Sequence, residues 1–332
     1  MFAALFGSVE QGIIYAIMAL GVYLTFRVLD FPDLTVDGSF VTGAGTAAMM
    51  IVLGYNPILA TLVATIAGFI AGCMTGILMM IALYSINLRI MGLSSDSGVT
   101  RPNIPLLNSE TIFSTFGSFW SNLGIDSALS GMLKSIGIQT IPATWGILAL
   151  MLCITIIIKL IVDWFLKTEV GLAIRATGDN KRMIRSFSAN TDSLIILGLG
   201  ISNAMVALSG ALIAQYTKFA DIGLGIGMIV VGLASVIIGE AIFGTKSIVR
   251  VTFAVIAGAI IYRMIYALAL RVEWLDSGDM KLITAFIVIL ALVIPQMLGK
   301  YKEKKRKARR LEERLAAQKA AIDVEQGGNG LA

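Results

Sequence analysis

The stretch "YAIMALGVYLTFRVLDFPDLTVDGSF", residues 15–40, places an apolar run directly before a break that contains a proline and three aspartates. The apolar run belongs to a segment, Val9–Val28, that matches the roughly 20 residues needed to cross a hydrocarbon core. Proline removes a backbone donor and interrupts helical hydrogen bonding. The stretch therefore predicts a membrane-spanning helix that ends at the break, with a second helix beginning after it.

The composition extends this interpretation to the whole chain. Of the 332 residues, 57% are hydrophobic and only 14% are charged, whereas soluble domains carry about 25% charged residues. We therefore predict an all-α fold, a polytopic helical membrane protein. Apolar runs predict eight spans, near Val9–Val28, Ser39–Leu53, Pro57–Tyr84, Ala143–Leu166, Leu194–Tyr216, Leu224–Phe243, Val251–Leu270 and Leu282–Leu298. A ninth candidate, Pro105–Trp120, is short and polar, and it predicts either a half-helix or a poor span.

Several kinds of chemistry lack the residues they need. The chain has no histidine, and its two cysteines, Cys73 and Cys153, lie in separate apolar runs, so we expect neither a metal site nor a disulfide. The stretch "GEAIFGTKS", residues 239–247, nearly matches a phosphate-binding loop. However, Thr245 separates its second glycine from Lys246, and an apolar span precedes it where the motif requires a strand. We expect no cofactor on this chain and no enzymatic activity.

Lysine and arginine predict the orientation, because basic loops stay on the cytoplasmic side of a membrane. The net charge of +5 is concentrated in residues 300–319, which hold ten basic and three acidic residues. This pattern is typical of a cytoplasmic tail on anionic lipid and does not indicate nucleic-acid binding. Three basic regions can all lie on the cytoplasmic side only if the ninth candidate crosses the membrane. These regions are Arg89–Arg101, Lys167–Arg185 and the tail. The N-terminus is then outside. We divide the chain into a transmembrane domain, 1–299, and a basic tail, 300–332, and expect the first span, which contains Glu10, to be retained.

The sequence also contains an internal repeat. Tyr15–Leu34 aligns without gaps with Asn203–Ile222, with six identities in twenty positions that include Asp33 with Asp221, and Ala64–Met74 then aligns with Ala254–Met264. The two halves, about 9–84 and 194–271, start on opposite sides in the predicted topology. They therefore form an inverted repeat, an arrangement found in transporters.

Each copy of the repeat is broken at the same place, at residues 30–40 and 218–228. Corresponding broken helices indicate a translocation path; the alternative is a pair of ordinary interfacial loops in which Asp33 or Asp37 caps a helix. Arg263, inside a span, either attracts a substrate carboxylate or pairs with an acid such as Glu240. The polar candidates for the path are Asp33, Asp37, Ser39, Asn203, Asp221, Ser235 and Arg263.

One hydrophilic segment, "TEVGLAIRATGDNKRMIRSFSAN", interrupts the apolar chain at residues 168–190. We call it the basic segment. Helix-forming residues on both sides of "TGDN" predict two short helices joined by a turn, with Asp179 capping the second helix. Nothing within a membrane requires such a helical pair, so we interpret it as a docking element; the alternative is a topology signal without a partner.

The basic segment and the span after it carry a family resemblance. Glu169-Val170-Gly171, the run Arg175–Asn180 and "NTDSLIILGLGISNAMVALSGAL", residues 190–212, resemble the permease subunits of ABC importers of the branched-chain amino acid type. The resemblance covers about Gly12 to Pro295. It implies that residues 171–189 form a coupling helix that docks into a groove of a separate ATPase. The coupling residues would be Glu169, Gly171, Arg175, Gly178, Asp179, Asn180 and Arg182.

The motif "LDFPDLTVDGSF", residues 29–40, resembles more closely a subgroup that includes tryptophan and tyrosine permeases. The resemblance implies a bacterial cytoplasmic membrane protein that works with ABC ATPase subunits, a solute-binding protein outside the cell and a second permease copy or a paired homologue. ATP and Mg would bind the ATPase. Two other functions remain open at this point. An ion-gradient-driven secondary transporter would use Asp33, Asp37 or Asp221 as ion ligands, and a membrane scaffold would have no path.

Overall fold

The computed structural model describes residues 2–74, 76–93, 102–122, 126, 145–187, 189–269, 286, 289 and 293. Its helices are α1 (Phe2–Tyr23, continued by a π-helical turn Leu24–Val28), α2 (Val36–Val52), α3 (Pro57–Cys73), α4 (Ile77–Gly92), α5 (Ile112–Asn122), α6 (Gly146–Phe165), α7 (Glu169–Asp179), α8 (Lys181–Ser186), α9 (Thr191–Thr217), α10 (Met228–Phe243) and α11 (Ile248–Ala269). Among the described residues, five helical segments are long and apolar enough to cross a membrane. The predicted all-α membrane fold is confirmed, while the predicted last span and basic tail lie outside the described residues, except for three positions.

The single span predicted at Pro57–Tyr84 is wrong, because two helices form there. Helix α3 ends at Cys73 and α4 begins at Ile77. Helix α4 turns back along α2, where Leu83 packs against Gly38 and Met91 packs against Gly45. One continuous helix of this length would measure about 42 Å at 1.5 Å per residue, well over the roughly 30 Å hydrocarbon core.

The ninth candidate span, Pro105–Trp120, does not cross the bundle. Its first residue ends a short strand, β1 (Asn103–Pro105), which pairs antiparallel with β2 (Phe219–Asp221). Helix α5 begins within its remainder and ends two residues beyond it, and at 11 residues this helix covers only about 16 Å.

This geometry also reverses the predicted side of one basic loop. Strand β2 follows the C-terminus of α9, whereas α7 packs near the N-terminus of the same helix, about 40 Å away along 27 residues. We call the end of the bundle that carries α7 the α7 end. Strand β1 lies at the opposite end, together with the last turn of α4, where Met91 belongs to the same buried apolar cluster as Ile104 of β1. The prediction that Arg89–Arg101 shares a side with the basic segment is therefore wrong for residues 89–93, while residues 94–101 lie outside the described residues. The return of the chain through α4 supplies the crossing that the ninth candidate was expected to provide.

Equivalent contacts in the two halves agree with the predicted inverted repeat. In α1, Gly12 packs against Ile260 of α11, and its repeat equivalent in α9, Gly200, packs against Phe69 of α3. In the same way Val22 of α1 packs against Gly232 of α10, while its equivalent, Gly210, packs against α2. Helices α1–α3 and α9–α11 are thus the two copies.

The breaks share a local structure as well. The side-chain oxygen of Asp33 accepts the backbone N–H of Thr35 at 2.9 Å, and that of Asp221 accepts the backbone N–H of Gly223 at 2.7 Å. Both aspartates therefore form the same turn, in which the carboxylate binds the backbone two residues later.

Helices α1 and α9 cross at the centre of the bundle. Gly21 allows the backbone of Ser202 to approach closely, and the hydroxyls of Ser202 and Ser209 donate to backbone carbonyls of α1 at 2.7 and 2.9 Å. Helix α3 packs on the same helix through Gly68 and Gly72. Helices in lipid associate without a hydrophobic driving force, so small residues that allow close contact are important for their packing. The face of α9 that packs against α1 and α3 therefore fixes the position of the first break.

Candidate functional site

The two breaks meet where α2 and α10 begin. The carboxylate of Asp37, in the first turn of α2, accepts the backbone N–H of Gly227 at 3.0 Å and that of Ile229 at 2.8 Å. A carboxylate at a helix N-terminus satisfies orphan donors and is attracted by the helix dipole. Asp37 is thus a cap, as one alternative proposed, but it caps the helix of the other repeat copy and so joins the two copies at the broken segments.

Asp33 lies in a buried polar network. Its side chain is fully buried and accepts bonds from the hydroxyl of Thr35 and from the amide of Asn203, both at 2.6 Å. The Asn203 amide also donates to the carbonyl of Leu199 at 3.0 Å. This network links the first break to the middle of α9. Two predicted candidates, Asp33 and Asn203, are therefore in direct contact.

Three other polar candidates for the path are dispersed. Asp221 lies beyond α9 at the end opposite α7 and is half-buried. Ser235 is buried and donates to the carbonyl of Val231 on its own helix at 2.8 Å, which is a structural role. Ser39 is fully buried, and within the described residues its hydroxyl has no hydrogen-bond partner.

Arg263 does not pair with Glu240. The guanidinium carbon of Arg263 lies 3.7 Å from the centre of the Tyr15 ring and 5.5 Å from that of Tyr266. Glu240 instead forms an ion pair with Arg27 at the α7 end. The structural alternative proposed for Arg263 therefore fails for this acid, and the cation is held by aromatic faces.

The basic segment has a buried side that fits tightly into the bundle. Ile174 and Thr177 are fully buried. A Cβ atom at Gly171 would lie within 3.0 Å of backbone atoms of Phe165 and Leu166, and one at Gly178 within 3.0 Å of the Val28 carbonyl oxygen. Both glycines are needed for close approach, and Gly178 attaches α7 to the π-helical end of α1.

The opposite side of the basic segment is exposed and carries the remaining predicted coupling residues. These are Glu169, Arg175, Asp179, Asn180 and Arg182. Leu172, Met183 and Phe187 are exposed beside them, Phe187 by 74%. An apolar surface rimmed by basic side chains is typical of a protein-binding face.

The cap between the two short helices differs from the prediction. Asn180, and not Asp179, caps α8: its side-chain oxygen accepts the backbone N–H of Met183 at 3.1 Å. The predicted turn over "TGDN" is also too long, because α7 continues through Asp179 and only Asn180 leaves the helical conformation. Asp179 is exposed and free to face a partner surface.

A cleft of about 740 Å³ opens between α7 and the π-helical end of α1. Its lining includes Tyr23, Arg27, Asp30, Arg175 and Asp179. Two of these, Arg175 and Asp179, are predicted coupling residues. The basic segment therefore lies next to the end of α1, the helix that leads into the first break.

Sequence reasoning missed four polar contacts that three acidic residues make. Asp163 is buried, pairs with Lys159 one turn earlier and accepts the Thr252 hydroxyl at 2.6 Å, which ties α6 to α11. Glu10 accepts the Tyr216 hydroxyl at 2.9 Å. Arg27 pairs with Glu240 across the two repeat copies. An ionisable residue within an apolar run is the signal that could have found each acid, although the sequence does not identify the partners.

Comparison with known proteins agrees with this architecture. The family model described as the permease component of branched-chain amino acid transport systems matches residues 4–293. The chain is 39% identical to the tyrosine transport system permease protein of Clostridioides difficile over 296 residues, which are 85% of this chain and 88% of that protein.

More distant relatives match over similar lengths. An uncharacterized protein of Rickettsia prowazekii is 32% identical over 86% of this chain and 95% of its own length. The galactofuranose transporter permease protein of Escherichia coli is 26% identical over 85% of this chain and 76% of its own length. No solved structure matches the chain.

Proposed function

Because the chain belongs to the family of permease components of branched-chain amino acid transport systems, we propose that it is the translocating subunit of an ATP-driven ABC importer for amino acids. The family makes it a membrane-embedded transport component and not an enzyme. The finer proposal concerns its energy source, its partners and its substrate. We place it in the cytoplasmic membrane of a bacterium.

The exposed residues of the broken segments support the proposal that a path forms here. Non-helical backbone at membrane depth cannot face lipid, because lipid offers no hydrogen-bond partners. Yet Pro32 and Leu34 of the first break and Ile226 of the second are exposed on the surface of the single chain, Ile226 by 65%. A second permease copy, or a paired homologue, would cover this surface and enclose a water-filled path between the two subunits.

The exposed face of the basic segment supports the proposal that a separate ATPase drives transport. Arg175 and Arg182, together with the apolar side chains beside them, are available to an ATPase subunit at the α7 end. ATP and Mg would bind that ATPase. A solute-binding protein would deliver substrate to the opposite end, where β1 and β2 lie.

The packing suggests how movement of the motor reaches the path. Gly178 holds α7 against the end of α1, and α1 leads directly into the first break. Asp37 then links that break to α10 of the other repeat copy. When the ATPases close, displacement of α7 would tilt one copy against the other, which opens the path alternately to each side.

The relatives support a proposal for the substrate class. The tyrosine permease relative shares the higher identity, and the galactofuranose permease relative the lower. We therefore propose an aromatic or other hydrophobic amino acid. An ion-gradient-driven transporter is the second candidate, but the carboxylates of Asp33 and Asp37 are already occupied by protein donors.

Reconstitution tests this function. The permease is co-purified with a candidate ATPase and a candidate solute-binding protein from the same organism and placed in proteoliposomes, and uptake of labelled L-tyrosine is measured with ATP inside. We expect uptake that requires all three proteins and ATP. Uptake by the permease alone under a Na⁺ or H⁺ gradient would overturn the proposal.

A further inference from the structure

Arg263 is a cation inside a membrane-spanning helix, and among the described residues it forms no ion pair. It lies six residues before the end of α11, about 9 Å along the helix from its last residue. Within the described residues its Nε is buried without a hydrogen-bond partner, and none of the ion pairs includes it. The rings of Tyr15 and Tyr266 attract the guanidinium, yet cation–π contacts offset only part of the cost of a charge at this depth.

The repeat allows the surroundings of Tyr15, which contacts Arg263, to be compared with those of Asn203. In the alignment of the two copies, Tyr15 corresponds to Asn203, and Asp221 corresponds to Asp33. At Asn203, the carboxylate of Asp33 completes the polar network. At the equivalent place the carboxylate of Asp221 binds its own turn at Gly223, and a cation stands beside Tyr15.

We propose that Arg263, flanked by Tyr15 and Tyr266, binds the carboxylate of the transported amino acid. This inference rests on the proposed function. The guanidinium presents paired donors that match a carboxylate. The ring of buried Tyr15 beside it reduces the contact of the ion pair with water, which strengthens the attraction. The site lies in the half of the bundle that faces the end opposite α7, where substrate would enter. An aromatic or apolar side chain of the substrate would contact the same tyrosine rings.

The test uses the reconstituted importer with L-tyrosine as the probe. Arg263→Gln removes the charge, Arg263→Lys keeps it without the paired donors, and Arg250→Gln removes an exposed charge at the other end of the same helix. We expect Arg250→Gln to transport like the wild type. Uptake should fall about tenfold or more in Arg263→Gln, the loss expected for a hydrogen bond to a charged group, and less in Arg263→Lys through a raised KM.

A second measurement separates binding from folding. The solute-binding protein with L-tyrosine should still stimulate ATP hydrolysis in Arg263→Gln, because the coupling surface is intact. Normal uptake in Arg263→Gln would overturn the inference. So would equal loss of uptake and stimulated hydrolysis in both Arg263 variants, which indicates a structural role. If the wild type itself shows no ATP-dependent uptake, the proposed function fails first.

Lipid composition distinguishes the two sources of an anionic partner. The wild type is reconstituted in phosphatidylcholine alone and with phosphatidylglycerol added. Binding of a substrate carboxylate predicts that the ratio of wild-type to Arg263→Gln uptake is the same in both. If wild-type uptake falls to the Arg263→Gln level without phosphatidylglycerol, Arg263 binds a lipid headgroup and the inference is wrong.

Discussion

Asp30 and Lys218 occupy equivalent positions in the two repeat copies, and both have a left-handed backbone, with φ of 50° and 59°. They are the non-glycine residues with positive φ in the described part of the chain. Each lies directly before an aligned phenylalanine, where the chain leaves a long helix and enters the break. The turn that redirects the backbone is therefore built the same way twice, and in both copies the local strain is located where the span is broken.

This strain predicts opposite effects for glycine at neighbouring positions. A left-handed residue with a Cβ costs about 1–2 kcal/mol, so Lys218→Gly should raise the free energy of unfolding by up to about 1 kcal/mol after the greater freedom of glycine in the unfolded chain is included. Thr217, the last residue of α9, is helical, and Thr217→Gly should lower it by about 1 kcal/mol. Thermal unfolding of the purified protein in detergent measures both. Equal destabilisation by the two variants would contradict this account.

The contact between Asp33 and Asn203 predicts strong coupling between two residues far apart in sequence. Removing Asp33 leaves a buried amide and a buried hydroxyl without their acceptor, so Asp33→Ala should cost about 3 kcal/mol. A double-mutant cycle with Asn203→Ala should give a coupling energy of about 1–3 kcal/mol, whereas a cycle of Asp33→Ala with exposed Asp179→Ala should give nearly none. Additive effects for Asp33 and Asn203 would show that the bond does not stabilise the break.

The repeat could be predicted because its signal is local. Matched residues such as Asp33 and Asp221 lie at fixed positions relative to the two breaks, and each binds the backbone two residues later. The cap on α8 was misassigned because Asp179 and Asn180 are adjacent and both are good caps. Only the backbone geometry at Asn180, with φ of −153° and ψ of 92°, distinguishes them.

The long-range features were less accessible to the sequence. The run from Pro57 to Tyr84 is apolar throughout, so nothing in its composition marks the turn between α3 and α4. Partners in the bundle are also invisible in a single sequence. As an acidic residue, Glu240 could pair with either Arg27 or Arg263. In the structure it pairs with Arg27. The general lysine and arginine rule then assigned Arg89 to the wrong side, since it counts charge without knowing the number of crossings.

The corrected topology predicts which positions share a side of the membrane. After both native cysteines are replaced by serine, single cysteines are introduced at Asn103 and at Asp179, which are exposed at opposite ends of the bundle. In intact cells, a membrane-impermeant thiol reagent should label the Asn103→Cys variant and leave the Asp179→Cys variant unlabelled. In inverted vesicles the pattern should reverse. If both positions are labelled from one side, β1 lies on the same side of the membrane as the basic segment, and the corrected topology is wrong.

The two sides of the basic segment predict two different kinds of failure. Arg175 is exposed, so Arg175→Glu should leave folding unchanged and prevent docking of the ATPase, with loss of uptake. Gly178 has no space for a side chain, because any Cβ would collide with the Val28 carbonyl. Gly178→Val should therefore displace α7 from α1 and lower the free energy of unfolding by about 1–3 kcal/mol, the usual cost of overpacking.

Co-purification with the ATPase and thermal unfolding separate these failures. Arg175→Glu should lose the ATPase while retaining its melting temperature, and Gly178→Val should melt earlier. Exposed Arg89, at the end opposite α7, provides the matched control, because Arg89→Glu makes the same charge reversal away from the proposed docking face. If Arg89→Glu loses the ATPase as completely as Arg175→Glu does, net charge controls the association and the basic segment is not a specific docking surface. If Arg175→Glu keeps both the ATPase and uptake, force must enter the permease through some other surface than the one centred on Arg175.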